Sequence, residues 1–203
     1  MNETIRIPKQ KRAIEKKEKI IEAGFNLICK NGYYNTNTAE IAKEAGVSTG
    51  IVYQYFNDKY DILLFGLEKY GENIFFPMLE KKDISFKKEE FDKFIKSMIN
   101  YYISNHKVSN IAHEEIIAMV HSDEKIAKYY YDRELYLTNA LKEVLINNGF
   151  KDNNLYEKVH IMIGLIDNLC HEIIYHKHNN MNYDKMTNII IDSIKNLFKD
   201  DLI

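Results

Sequence analysis

Apolar residues recur along this chain with the spacing of helices. Steps of three and four residues, the period of one helix face, recur over about 11–30, 38–45, 49–55, 59–76, 87–105, 109–121, 123–148, 153–176 and 183–199. Asn31-Gly32 and Asn148-Gly149 follow two of these segments, as glycine often does after a helix. No alternating run bounded by turn residues, the pattern of a strand, is present in the sequence. The pattern predicts an all-α protein of about nine helices.

Two short helices separated by a glycine are predicted between residues 38 and 59. The first ends just before Gly46, and Ser48 is placed to cap the second. Asn37, with Glu40 three residues later, indicates a capping box before the first helix. Two short helices joined at a glycine turn are typical of a helix-turn-helix. The residues assigned to its core are Ile41, Ala42, Ala45, Val47, Val52 and Phe56.

The same segment carries a family resemblance. From Ile41 to Lys59 it fits the pattern IAxxAGVSxGxVYxYFxxK and resembles the amino-terminal signature of TetR-family transcriptional regulators. The resemblance covers residues 20–64 and departs from the usual pattern at Asn37 and at Tyr60-Asp61. It implies a three-helix DNA-binding domain, assigned to residues 1–66, and a helical bundle for ligand binding and dimerisation, assigned to residues 67–203.

A helix that reads DNA from the major groove needs small or polar residues on its outward face. Gly50 lets the backbone approach closely, and the hydroxyls of Ser48 and Thr49 can bond to base edges or phosphates. Tyr53 and Tyr55 can reach phosphates, although either ring could pack in the core instead. The resemblance implies DNA contacts for Thr38, Thr49, Gly50, Tyr53, Tyr55 and Lys59. The predicted DNA-binding residues are Thr38, Ser48, Thr49, Gly50, Tyr53, Gln54, Tyr55 and Lys59.

Charge is distributed unevenly. The net charge of −2 alone argues against a nucleic-acid binder. However, residues 1–60 carry ten Lys or Arg against seven Asp or Glu, while the remainder carries 18 against 23. Seven of the basic residues lie between Arg6 and Lys19, which suits one end of the protein facing phosphate. A solvated first helix or a disordered tail is the other interpretation of this basic run.

The last two predicted helices are candidates for a dimer interface, because single helix-turn-helix units usually pair to bind DNA tightly. The helix over about 153–176 has more apolar surface than one side of a bundle helix needs, at Val159, Ile163, Ile166, Leu169, Cys170 and Ile173. We expect these helices from two copies to form a four-helix interface, as the resemblance also implies. Alternatively, they only close the core.

Tyrosines are concentrated in the middle helices, where an apolar ring with a polar tip suits a small-molecule pocket. The resemblance implies that an inducer binds there and releases DNA, and we expect an apolar or aromatic compound. Any single pocket candidate could instead be ordinary core. The candidates are Phe65, Tyr102, His113, Ile117, Tyr136, Met162, Ile166 and His171.

A metal site is not expected. His171, His176 and His178 are close in sequence, but the first two point about 140° apart around a helix. Asp167 and His171, four residues apart, can pair with each other instead. We also expect no cofactor.

The remaining sequence features bear on location. Cys29 and Cys170 lie in apolar helical segments and are expected to be buried free thiols in a reducing cytoplasm. The amino terminus lacks the apolar centre of a signal peptide, and no apolar stretch approaches the about 18 residues that span a bilayer. We therefore expect a cytoplasmic protein with no membrane partner.

The sequence favours a homodimeric, ligand-responsive repressor that binds a palindromic operator. An all-helical enzyme is a second hypothesis, but no glycine-rich phosphate loop, paired thiol ligands or nucleophile elbow is present in the sequence. A third is a DNA-bound factor without a small ligand. A cavity of a few hundred Å³ within the later helices would separate the first hypothesis from the third.

Overall fold

The structure is a computed structural model and describes residues 11–71, 84–105 and 108–201. Within these ranges it is all-α, with nine α-helices, as the hydrophobic pattern predicts. They are α1 (Lys11–Asn31), α2 (Thr38–Glu44), α3 (Thr49–Tyr53), α4 (Lys59–Gly66), α5 (Phe91–Asn105), α6 (Asn110–Ser122), α7 (Glu124–Asn147), α8 (Leu155–Tyr175) and α9 (Tyr183–Leu197).

Contacts divide the chain into two compact units. The head unit comprises Met1–Glu72 and Lys107–Tyr130, and the body unit comprises Asn73–His106 and Tyr131–Ile203. The amino-terminal helices thus share a unit with α6 and the start of α7. The predicted boundary between residues 66 and 67 stays a prediction.

The head unit is built around α1, which packs against α2, α4 and α6. Its apolar stripe supplies Ile20 and Ile21, and the short helices supply residues at their own buried positions. Burying these side chains together is the main force that holds the three short helices α2, α3 and α4 on α1. The core cluster is Ile20, Ile21, Ile41, Ala42, Val52, Tyr55, Phe56 and Ile62.

Glycines let α1 and α4 approach closely. A Cβ on Gly66 would lie 2.4 Å from Cδ2 of Phe25, a ring that is fully buried. A Cβ on Gly24 would lie 2.5 Å from Cγ2 of Ile62 on the opposite helix. These two positions therefore fix the spacing of the helices.

The helix predicted over 59–76 changes its winding part of the way along. It is α-helical over Lys59–Gly66 and then forms a π-helical turn, Leu67–Gly71, in which hydrogen bonds span one more residue. The rest of that predicted helix lies outside the described residues, as do residues 1–10 with the first part of the basic run.

The body unit packs α5, α8 and α9 against one another, preceded by a 3₁₀ turn, Lys88–Glu90. Aromatic rings close one end of its core: the centroids of Phe86 and Phe94 lie 4.5 Å apart, and those of Phe91 and Phe150 lie 4.9 Å apart. Asn148 fixes the adjacent chain, because its amide oxygen accepts from the Phe86 N–H at 2.7 Å. The predicted turn at Gly149 has φ +87°.

Candidate nucleic-acid interface

The capping box predicted at the start of α2 is present. The Asn37 side chain accepts a hydrogen bond from the Glu40 N–H at 3.0 Å, and the Glu40 carboxylate accepts from the Asn37 N–H at 3.3 Å. These bonds satisfy backbone groups that the first turn of a helix leaves without partners. Asn37 thus replaces the more usual Ser or Thr without loss of the cap.

The turn from α2 to α3 depends on Gly46, whose φ of +68° is a left-handed value that glycine adopts readily. Directly after it, the Val47 N–H donates to the Ala42 carbonyl at 2.9 Å, and the Val47 side chain packs against the core as predicted. The chain therefore turns within a few residues, and α3 packs against α2.

The two faces of α3 and the residues that follow it differ sharply. Val52, Tyr55 and Phe56 are buried, at 1%, 5% and 0% exposure. On the other side Tyr53 is 51% exposed, and a Cβ added to Gly50 would meet nothing within 4 Å. The remaining exposed residues of this face are Ser48, Thr49 and Gln54.

Ser48 occupies the capping position of α3 with an extended backbone, but its side chain makes no capping hydrogen bond. The sequence predicts a side-chain cap here, and that detail is wrong. Instead the Ser48 carbonyl accepts from the N–H groups of Ile51 and Val52, at 2.9 and 3.3 Å. The hydroxyl is thus left exposed beside Thr49.

Three predicted contact residues are less exposed. Thr38 is partly buried at the first position of α2. Tyr55 lies in the core, so only its hydroxyl is left to make the predicted DNA contact. Lys59 is also partly buried, and its amine donates to backbone carbonyls of Tyr33 and Thr36. All three DNA contacts stay predictions.

The two residues that depart from the usual pattern, Tyr60 and Asp61, have partners that sequence reasoning missed. The Tyr60 hydroxyl donates to the Asp123 carboxylate, 2.7 Å from each oxygen. Asp61 accepts from both the backbone N–H and the side-chain amide of Asn57, each at 2.8 Å. Burial, together with the bond to Asp123, raises the pKa of Tyr60, and that bond lowers the pKa of Asp123.

Another missed residue is Glu115 on α6. Its carboxylate accepts a hydrogen bond at 3.1 Å from the backbone N–H of Tyr34, in the loop between α1 and α2. A Cβ added to Gly32 would lie 2.8 Å from the same carboxylate. The left-handed backbone of Gly32, with φ +93°, and the carboxylate of Glu115 therefore together fix the conformation of this loop.

Five of the eight pocket candidates lie in the body unit. The buried Tyr102 hydroxyl donates to Asp167 at 2.9 Å and lies 2.8 Å from Nε2 of His171. Nδ1 of His171 is 3.2 Å from the other oxygen of Asp167, which confirms the pair predicted from their four-residue spacing. The other candidates differ in burial: Met162 and Ile166 are fully buried, whereas Tyr136 is 47% exposed.

The other three candidates lie in the head unit. Phe65 is partly exposed, and the Lys17 amine lies 3.9 Å from the centre of its ring. His113 is buried, with Nδ1 3.4 Å from the Glu114 carboxylate, and Ile117 is partly buried. Whether any of the eight binds a ligand stays a prediction.

Further properties follow from the described helices. Cys29 and Cys170 are buried free thiols, as predicted, and burial raises the pKa of each to about 12. Over the described ranges, we find no group of three or more His, Cys, Asp or Glu side chains arranged to hold a metal ion. None of the helices that the structure describes combines the length and apolar character needed to cross a membrane.

Comparisons with known proteins agree with this geometry. The family described as bacterial regulatory proteins, tetR family, matches residues 20–64. The HTH-type transcriptional regulator HbdR of Aromatoleum sp. (strain CIB) is 50% identical over 54 residues, covering 27% of this chain and 24% of HbdR. The fatty acid metabolism regulator protein of Bacillus subtilis (strain 168) is 46% identical over 56 residues, 28% of each chain. The matches thus span about a quarter of these relatives.

The likeness in fold extends over more of the chain than the likeness in sequence. A crystal structure described as a TetR-family transcriptional regulator from Mesorhizobium loti matches with a TM-score of 0.68. That match covers 96% of this chain and 100% of the other at 16% sequence identity, so it concerns the fold alone. The helix-turn-helix domain at residues 20–64 is thus similar to that of the tetR family of bacterial regulatory proteins.

Proposed function

We propose that this protein is a homodimeric transcriptional repressor, without enzymatic activity. In this proposal it binds a palindromic operator in double-stranded DNA through residues 38–59 and is released by a small-molecule inducer. The observation that carries the proposal is the division of α3 into an apolar buried face and a small, polar exposed face. A helix of this kind enters a major groove without burying an apolar side chain against the bases.

Each residue of the exposed face has a distinct expected role. Gly50 permits close approach of the backbone, and the hydroxyls of Ser48 and Thr49 reach base edges or phosphates. Tyr53 and Gln54 are longer and reach outward from the same helix end. Thr38, Lys59 and the hydroxyl of Tyr55 complete the proposed contact set.

Dimerisation through α8 and α9 is supported by apolar side chains that these helices leave in solvent. Ile161 on α8 is 50% exposed and Ile189 on α9 is 64% exposed. Gly164, one turn after Ile161, is exposed, and a Cβ there would meet nothing within 4 Å. Helices with such faces pack well against a second copy, and a dimer would present two copies of α3 to two half-sites.

An apolar or aromatic inducer is the least direct part of the proposal. It is supported by the resemblance and by the aromatic and polar residues of the body unit. In particular, Tyr102 is buried in the apolar core, and its hydroxyl bonds to Asp167 and His171 at the edge of that core, where their side chains are 46% and 22% exposed. Polar groups in an apolar surround are how small-molecule sites fix the orientation of a ligand.

Selection of bound duplexes from random oligonucleotides tests the DNA-binding part. We expect an inverted repeat whose half-sites are separated by about one helical turn. Thr49→Val, which removes one hydroxyl at constant volume, should alter the preferred base at a matching position in both half-sites. Recovery of no preferred duplex would contradict the proposal.

Sedimentation and ligand screening test the remaining parts. The protein alone should sediment as a dimer at micromolar concentration. An apolar or aromatic compound that raises its thermal stability should also release it from the selected duplex. A protein that holds its operator in the presence of every stabilising compound would instead be a DNA-bound factor without an inducer.

A further inference from the structure

One peptide group in the loop between α1 and α2 is hydrogen-bonded on both sides to charged side chains. The Tyr34 N–H donates to the Glu115 carboxylate at 3.1 Å. The carbonyl of the same peptide group, that of Tyr33, accepts from the Lys59 amine. Because the N–H and the C=O of a trans peptide point in opposite directions, the carboxylate and the ammonium group lie on opposite sides of it. Together the two bonds fix the orientation of this peptide.

The rest of the loop is built around this arrangement. A Cβ on Gly32 would lie 2.8 Å from one Glu115 oxygen and 3.0 Å from the other, so the carboxylate occupies space that only a glycine leaves open. Thr36 is 1% exposed, and its N–H donates to the Tyr33 carbonyl at 3.3 Å. Its hydroxyl donates to the Gly32 carbonyl at 2.8 Å. These bonds favour one loop conformation, in which the Tyr33 carbonyl faces the lysine.

The charges on the two sides support each other. A carboxylate that accepts from an N–H polarises the peptide, so the Tyr33 carbonyl becomes a better acceptor for the amine. Glu115 also acts on Lys59 through its charge. Burial lowers the pKa of Lys59, and the Glu115 and Asp58 carboxylates oppose that effect. The Glu115 carboxylate thus helps the lysine to remain an ammonium group beside the loop.

The loop bonds are compatible with the phosphate contact predicted for Lys59. An ammonium group has three N–H bonds, and the carbonyls of Tyr33 and Thr36 accept two of them. A third can be directed at a phosphate oxygen. The direction of that third donor depends on where the two carbonyls lie. A group that orients the Tyr33 carbonyl therefore also orients the amine toward DNA.

We propose that Glu115 is a positioning residue for DNA binding: through the Tyr33–Tyr34 peptide it sets the place from which the Lys59 amine reaches a phosphate. Glu115 lies on α6, outside the helix-turn-helix, and its negative charge excludes a phosphate contact of its own. The inference rests on the proposed DNA-binding function. It adds a residue from outside 38–59 to those that determine operator affinity.

Glu115→Gln and Glu115→Met separate the hydrogen bond from the charge. Both new side chains are neutral and close to glutamate in length, but only glutamine keeps an oxygen that accepts from the Tyr34 N–H. We expect the methionine variant to bind the selected operator about threefold more weakly than the glutamine variant, because its loop is less often in the conformation that fits DNA. Equal affinities would overturn the proposal. The same two changes at Glu114, an exposed neighbour on α6, are the control and should give equal affinities.

A double-mutant cycle tests whether the effect passes through Lys59. The two Glu115 variants are compared again in a Lys59→Met background, at low salt so that binding stays measurable. We expect the difference between them to vanish, since the peptide then has no amine to orient. A difference that stays at about threefold would overturn the proposal, because Glu115 would then act only by supporting the fold. If Glu115→Met does not fold, Glu115→Leu, which also lacks an acceptor, replaces it.

Amide hydrogen exchange without DNA measures the bond itself. The Tyr34 N–H should exchange faster in Glu115→Met than in Glu115→Gln, and equal rates would overturn the proposal. A wild type that selects no duplex would contradict the proposed function and this inference with it. A wild type that binds its operator, with two Glu115 variants that bind equally, would overturn this inference alone.

Discussion

The Tyr60 hydroxyl lies 2.7 Å from both carboxylate oxygens of Asp123, across 63 residues of sequence. Asp123 is also bonded to the first turn of α7, where its Oδ1 accepts from the N–H groups of Lys125 and Ile126, each at 3.0 Å. A single carboxylate therefore holds the start of α4 to the start of α7 within the head unit.

The stability of the head unit should depend on the ionisation of Asp123. Its pKa is lowered in the folded state, chiefly by the Tyr60 hydrogen bond, so the carboxylate stabilises the fold above its unfolded pKa of about 4. That contribution is lost as the pH falls through the folded-state pKa. Asp123→Asn keeps one acceptor oxygen, enough for the cap of α7, but cannot ionise. We expect the melting temperature of this variant to vary less than that of the wild type between pH 5 and pH 3. Thermal unfolding followed at pH steps of about 0.5 unit measures the difference.

Tyr60→Phe is the matched variant, because it removes the main cause of the lowered pKa and leaves Asp123 in place. The melting temperature at pH 7 should fall, and the acid-dependent loss of stability should become smaller, because the folded-state pKa of Asp123 returns toward its unfolded value. An acid profile identical to that of the wild type would show that the hydrogen bond does not set this pKa.

Two glycines of the head unit should respond oppositely to alanine. Gly66→Ala places a Cβ only 2.4 Å from Cδ2 of the buried Phe25 ring. The ring has to shift, so the change should destabilise the fold by about 1–3 kcal/mol. Gly50→Ala meets nothing within 4 Å and should leave the free energy of unfolding equal or slightly higher, since alanine favours helix. Urea unfolding measures both changes.

Gly50→Ala should weaken DNA binding, although it should not lower stability. An added methyl group on the exposed face of α3 separates the backbone from the groove, so binding should weaken although the protein is stable. A Gly50→Ala variant that binds its operator as tightly as the wild type would remove this residue from the interface.

The periodic and local features of the sequence were sufficient for most of the fold. The helices, the Gly46 turn and the Asn37 box each follow from residues within a few positions of one another. The Asp167–His171 pair follows from the same four-residue rule. Such features recur in any helical protein, so a single sequence is enough to predict them.

The polar contacts that fix the head unit could not be predicted in this way. Lys59, Tyr60 and Glu115 bond to groups between 23 and 81 residues away, and no periodic pattern connects such partners. The burial of Tyr55, however, follows from its spacing: it stands three residues after Val52 and next to Phe56, on the face that packs into the core. Helical spacing thus distinguishes Tyr55 from Tyr53.

Tyr53 and Tyr55 should therefore differ in their effect on DNA binding. Tyr53→Phe removes a hydroxyl from a half-exposed side chain, and one lost phosphate bond should weaken binding about two- to tenfold on every duplex. Tyr55→Phe should cost less, because only the hydroxyl of a ring that is 5% exposed can reach DNA. Gel-shift titrations on operator and unrelated duplexes measure both. Equal binding by Tyr53→Phe and the wild type would exclude the Tyr53 contact.

Charged residues on the exposed faces of α8 and α9 should separate the proposed dimer without unfolding the chain. Ile161→Asp and Ile189→Asp replace side chains that are 50% and 64% exposed, so the body core should be intact. In a homodimer each charge would be buried against apolar surface without a partner, which is costly. Sedimentation at micromolar concentration should give a monomer. Its helical circular dichroism should be unchanged, and its binding to a palindromic duplex should be weaker.

Asn188→Asp, which adds the same charge at an exposed polar position of α9, is the control and should sediment as the wild type. If the isoleucine variants sediment as dimers, another surface joins the two copies.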